Sequence, residues 1–267
     1  MTRALIAELA DGWRGAGVRP GEVLLVHSSI GRTVRGLIKA GAPSDQAVGL
    51  ILESFLEALG PEGTLLAPLF NFDFAGGAPF DIRNTPSQMG ALTEAARRHP
   101  RAVRTGHPIY SFAAIGAEAP RFAGVENFSG YGPDSPFALL HAVGGRIAVL
   151  DLPDQQAMTF YHYVEEALSA PWRYHKRFEG DYVGWDGQIS RRAFGLYVRD
   201  LERGVLTHVD PMGERLWAAG LYAGERPGQG RGLRTIAASA LFDAVSAVIN
   251  AGQAEGLLYR IEAPRSA

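Results

Sequence analysis

The sequence predicts an α/β fold: a central, mostly parallel sheet flanked by helices, with a C-terminal α+β portion. Two observations carry this expectation. Between about residues 20 and 170, short apolar runs alternate with stretches of 3.6-residue periodicity, the signature of strands joined by helical crossovers. After Pro171 that texture gives way to a hairpin signal followed by further helical patterns. No linker-like segment interrupts the 267 residues, so one domain is expected over 1–267, its core at about 20–170 and the α+β portion at about 171–267.

The elements follow in order. Leu5, Ile6, Leu9 and Trp13 mark one face of an amphipathic helix. Residues 22–27, Glu-Val-Leu-Leu-Val-His, read as a buried strand. Ser44 then caps a helix whose apolar positions are Val48, Ile51, Leu52, Phe55 and Leu59, and Gly60-Pro61 stops it. Residues 64–68 form the next strand, and a long polar, Gly/Pro-rich loop runs from Leu69 to Pro86. Helix is expected over 87–98, strand over 110–115, helix over 135–143, strand over 146–150 and helix over 157–169. Beyond Pro171, residues 182–189 predict a hairpin turning at Asp186-Gly187. Helices near 211–220 and 234–250 and a last strand at 257–261 complete the chain.

Composition removes several function classes. With 26 basic and 28 acidic side chains the formal charge is −2, which lacks the basic excess of a nucleic-acid or membrane-surface protein. Cysteine is absent, so disulfides, thiolate zinc sites, iron–sulfur clusters and cysteine nucleophiles are all excluded. Lys39 and Lys176 are the only lysines, leaving two candidates for Schiff-base chemistry. The histidines show no H-E-x-x-H and no close pair, so no metal site is expected. Glu8 and Asp11 interrupt any signal-peptide core, and no apolar run reaches 18 residues. A cytoplasmic location is expected.

Three segments carry candidate chemistry. Thr159, His162 and Glu165 share a helix face, where a carboxylate can fix the tautomer of an imidazole that accepts a proton. His27-Ser28-Ser29 ends a strand and precedes Arg32 and Arg35, a pattern able to neutralise phosphates. His107-Pro108 stiffens a loop just before a strand that opens near Ser111. In the long loop, Asp73 and Asp81 are candidates for holding a cationic substrate. Each segment alone also fits a structural turn or a surface pair.

Taken in order, the segments resemble the aminoglycoside 3-N-acetyltransferase family. The resemblance runs through Val26-His27-Ser28-Ser29, Gly63 to Pro68, Phe80-Asp81 with Thr85 to Gly90, Arg104 to Gly116, Gly132-x-x-Ser135-Pro136 and Thr159-x-x-His162-x-x-Glu165. It implies transfer of an acetyl or other acyl group from acyl-coenzyme A to a primary amine on a sugar ring. By the same resemblance His162 is the general base and Glu165 its partner, with His107 near the acyl or amine site. His27, Ser28 and Ser29 become the pantetheine and diphosphate loop, joined in cofactor binding by Arg32, Arg35 and Ser111, and Thr159 joins Asp73 and Asp81 on the substrate side.

The stretch after Ser29 lacks the Gly-Trp-Val associated with drug-modifying members, and no acidic run suits a polycationic drug. Two alternatives therefore stand beside an aminoglycoside-like acceptor: a nucleotide-linked amino sugar or small aminophosphonate, and coenzyme A binding without turnover. The expected partner is a small-molecule amine, with a homo-oligomer left open and neither nucleic acid nor membrane involved.

Overall fold

The computed structural model describes residues 2–229 and 231–262. In chain order the elements are α1 (Thr2–Gly15), β1 (Val23–Ser28), α2 (Gly31–Lys39), α3 (Ala47–Leu59), β2 (Thr64–Pro68), β3 (Phe80–Asp81), α4 (Ala91–Arg98), β4 (Val103–Arg104) and β5 (Phe112–Gly116). There follow α5 (Ala119–Phe122), α6 (Pro136–Ala142), β6 (Arg146–Leu150), α7 (Asp154–Ala157), α8 (Phe160–Ala167), β7 (Arg173–Val183) and β8 (Ile189–Arg199). The chain ends with β9 (Val205–Thr207), α9 (Asp210–Ala218), β10 (Ala223–Gly224), β11 (Leu233–Ala237), α10 (Ala238–Asn250) and β12 (Tyr259–Ile261).

Seven strands form the main sheet in the order β10-β11-β6-β1-β2-β5-β4. The α/β class is as expected, but parallel pairing is confined to the central trio, β6-β1 and β1-β2. β5, β4, β11 and β10 join antiparallel, so the sheet is mixed. The short connection from β4 to β5 has no room for the helical crossover that a parallel neighbour needs. Both faces of the centre are covered, which explains the unbroken apolar run of β1. Leu24 and Val26 pack with Trp13, Ile51 and Phe55, whereas Val23 and Leu25 pack with Phe137, Phe160 and Leu241.

Several boundaries differ from the sequence reading. The helix expected over 157–169 is two helices, broken where Met158 adopts φ −83° and ψ 62°. Residues 233–237, expected at the start of a helix, are β11, whose Leu-Arg-Thr-Ile-Ala run is buried against β6. A short apolar run carries no periodicity of its own, so the sheet edge decides it. The hairpin turns where expected, with Gly187 at φ +79°, but its arms are eleven residues each, β7 and β8. With β3 they form a second, three-stranded sheet. No helix among the described residues is long and apolar enough to cross a membrane.

Candidate active site

β1 and β6 end side by side, with Ser28 paired to Leu150. Beyond their carboxyl ends lie the Ser28-Ser29 loop and, after α7, the helix α8. Thr159 sits at the amino end of α8 without making a side-chain cap. His162 and Glu165 follow on one face, and Nδ1 of His162 lies 2.7 Å from Oε2 of Glu165. Glu165 is 1% exposed. Its other oxygen, Oε1, accepts a hydrogen bond from the Trp172 indole at 2.8 Å.

A third residue, absent from the sequence reading, completes the cluster. Arg173 opens β7, and its Nε stands 2.7 Å from Glu165 Oε2. That contact is an ion pair without the alignment of a hydrogen bond. Its Nη1 donates to the Tyr197 carbonyl at 2.9 Å, and Nη2 lies 2.7 Å from His162 Nδ1. Nδ1 therefore faces a carboxylate and a guanidinium at once. A proton on Nδ1 satisfies the carboxylate, whereas its absence would set a lone pair against a full negative charge. The guanidinium, which can only donate, calls for the opposite tautomer, so Nδ1 serves one neighbour at a time, and Nε2 has no hydrogen-bond partner among the described residues.

The electrostatics agree. Burial, and then the Arg173 charge, hold His162 below its ordinary value of 6.5, despite the opposing pull of Glu165. Burial pushes Glu165 upward, but Arg173 and the bonds from His162 and Trp172 outweigh it and keep the carboxyl below its usual range. His162 is thus neutral and Glu165 ionised at neutral pH. The ring lines a cleft of about 290 Å³ together with Tyr110, Tyr131, Arg173 and residues of the hairpin.

At the end of β1 the polar groups are mostly uncommitted. Among the described residues Ser28 and Ser29 make no side-chain hydrogen bond and Arg35 makes no ion pair. Arg32 makes only a loose contact, 3.9 Å, with Asp151. His27 is buried with an unpartnered Nε2, and burial, reinforced by the Arg234 charge, lowers its pKa to about 4. Uncommitted hydroxyls and the cations Arg32 and Arg35 beside the uncapped amino end of α2 fit a polyanion such as the diphosphate of coenzyme A. An aromatic series joins this loop to the cleft. Ring centroids are 6.3 Å apart for His27–Phe70, 4.4 Å for Phe70–Tyr110, 4.8 Å for Tyr110–Tyr131 and 5.4 Å for Tyr131–His162.

Three expected site residues are committed elsewhere. His107 is fully buried, its Nδ1 accepts backbone N–H groups of Ile109 and Tyr110, and its Nε2 donates to the Gly195 carbonyl. Both nitrogens are occupied, so it braces the loop against β8 and is not a base. Ser111 Oγ accepts from Arg104 and donates to the Leu69 carbonyl, which leaves nothing for a cofactor. Asp81 accepts a bidentate pair from Arg83 and a bond from Asn84, organising the turn rather than an acceptor. Asp73 is exposed and bonded to Gln88, outside the cleft lining, although neighbouring Phe72 reaches Tyr110 at 5.9 Å. Tyr110, Tyr131 and Trp172 escaped notice because single aromatics carry no spacing signal.

The fold and the site together define an α/β protein with a carboxylate-held histidine in a cleft beyond the sheet's carboxyl edge. The chain belongs to the aminoglycoside 3-N-acetyltransferase family, whose model matches residues 25–250. It is 34% identical over 169 residues to an aminoglycoside N(3)-acetyltransferase IV from Salmonella sp, covering 62% of this chain and 60% of that protein. An aminoglycoside N(3)-acetyltransferase VII from Streptomyces paromomycinus is 46% identical over 83 residues, covering 31% and 28%. In both matches the chain thus spans less than two thirds of the relative's length. The solved structure of aminoglycoside acetyltransferase AAC(3)-Xa superimposes with a TM-score of 0.75 at 25% identity, covering 96% of this chain and 94% of that one. The structure of AAC-IIIb binary with CoASH shares the fold, at TM-score 0.75 and 21% identity over 97% and 98%.

Proposed function

We propose that the protein is an acyl-coenzyme A-dependent N-acyltransferase that moves an acetyl or other short acyl group to a primary amine of an amino sugar. The observation that carries this reading is the neutral His162, held through Nδ1 by buried Glu165 and presenting an unpartnered Nε2 in the cleft. An amine must lose a proton to form the amide, and Nε2 is the group placed to take it. Glu165 then stabilises the imidazolium, and Arg173 keeps Glu165 ionised throughout. Without cysteine, no thiol acyl-enzyme forms, and direct transfer between two bound substrates is favoured.

Acyl-coenzyme A, when bound, supplies the activated carbonyl as a thioester. Ser28, Ser29, Arg32 and Arg35 are the residues that would hold its phosphates, and His27 offers its unpartnered nitrogen alongside. Thr159 and Asp73 remain candidates for the acceptor side. Relatives named as aminoglycoside acetyltransferases make an amino sugar the natural first acceptor to test.

A screen of amino sugars and other amines with acetyl-coenzyme A, reading free thiol, tests the proposal. Amine-dependent thiol release is expected. Binding of coenzyme A with no release for any amine would leave a non-catalytic binding protein instead.

A further inference from the structure

The lining of the His162 cleft includes the cations Arg173, Lys176 and Arg199 and no carboxylate. Arg173 is neutralised by Glu165 behind it. The other two are not neutralised. Among the described residues neither Lys176 nor Arg199 has an ion pair or a side-chain hydrogen bond. The Lys176 ammonium lies over the Phe178 ring, 5.5 Å from its centroid.

The hairpin brings these two cations, distant in sequence, to the lining of one cleft. Lys176 pairs with Leu196 across the two strands, and Arg199 pairs with Arg173. Leu196 and Arg199 are three positions apart, so the two cations leave opposite faces of the ribbon, and both line the cleft. Tyr174, 47% exposed, offers an aromatic face in the same lining, and Leu201 adds apolar surface. Two uncompensated cations in one cleft lining with an exposed ring suit a phosphoryl group attached to a base or sugar. They oppose a polycation, which would meet like charge at this rim.

We infer that Lys176 and Arg199 form an anion subsite beside His162 that takes the phosphates of a nucleotide-bearing substrate. The shared chemistry, a phosphorylated nucleoside, has two sources: the ribose phosphate of the acyl donor, whose diphosphate is proposed at the Ser28 loop, and an amine acceptor that is itself nucleotide-linked. Only this choice between sources rests on the transferase reading; the subsite does not.

Calorimetry on the whole chain decides, comparing the wild type with the double variant Lys176→Ala, Arg199→Ala. The probes are coenzyme A and UDP-glucosamine, with circular dichroism confirming the fold. The double variant is expected to lose about tenfold or more in affinity for one probe, as removal of two charge-assisted contacts implies. Its binding should also depend less steeply on salt, and Lys176→Arg should retain affinity. Weakened coenzyme A alone assigns the subsite to the donor, and weakened UDP-glucosamine alone assigns it to the acceptor. A wild type that binds neither probe, or a double variant within about twofold for both, overturns the inference. Binding through these cations without thiol release in the amine screen would remove the transferase reading and leave the subsite standing.

Discussion

Arg173 Nε stands 2.7 Å from Glu165 Oε2, the same carboxylate oxygen that faces His162 Nδ1. One oxygen therefore serves both a permanent cation and the histidine. The arrangement keeps Glu165 ionised in a buried setting while pressing the His162 pKa down, two effects that a simple His–Glu pair on a helix would not combine.

His162→Ala is expected to fold, to bind coenzyme A as before and to lose turnover by ~10²–10⁴-fold, the usual contribution of a general base. Thiol release under saturating substrates measures it. Activity within a fewfold of wild type in the folded variant would remove His162 from the mechanism.

Arg173→Met should act through its neighbours. Losing the guanidinium releases one downward influence on His162, so the acid limb of the rate profile moves to higher pH. Glu165, buried and without its cation, rises toward protonation, and stability falls by ~3–5 kcal/mol, as when one partner of a buried pair is removed. Arg173→Lys should recover most of the stability. A pH–rate series shows whether the limb moves upward; an unmoved limb would confine Arg173 to packing.

Two buried histidines set the acid tolerance of the fold. Burial lowers both His27 and His107 to about 4 from an ordinary 6.5, so the unfolded chain binds their protons first. Stability is intact above pH 6.5 and drains as pH falls toward 4, by on the order of 3 kcal/mol for each. Urea midpoints at pH 7 and pH 5 should differ accordingly, and His107→Asn should shrink the difference. Equal midpoints at the two pH values would contradict this.

The two loop aspartates should separate. Asp81→Asn breaks the bidentate contact with Arg83 and lowers the thermal midpoint with little change in either Michaelis constant. Asp73→Asn leaves stability nearly untouched and raises the Michaelis constant of the amine alone. Equal effects of Asp73→Asn on both substrates would deny it a place near the acceptor.

Much of this was legible in sequence. Short apolar runs located β1, β2 and β6 and the 3.6-residue period located α3, each within a residue or two, and the three-residue spacing brought His162 and Glu165 together. Arg173 was not legible, because Ser169 at φ +51° turns the chain between it and α8. Contact across such a turn has no spacing rule. His107, Ser111 and Asp81 misled for the opposite reason. They look reactive in sequence, and only the fold reveals that Gly195, Arg104 and Arg83 already satisfy them. Lys176 was visible as a rare residue, but its place in the cleft depends on hairpin arms whose charged composition hides their strand character.

The hairpin divides labour along the chain at a single residue. On the proposed reading, proton handling belongs to α8, whereas the hairpin strands β7 and β8 supply the cations Lys176 and Arg199 and the exposed ring of Tyr174 to the cleft lining. Arg173 serves both, being the first residue of β7 and the cation on Glu165. A graft of hairpins between relatives therefore has a natural seam after Arg173. Exchange from Tyr174 onward would import a new cleft lining while keeping Arg173 on Glu165, whereas a cut one residue earlier would leave that ion pair to whatever residue the graft brings.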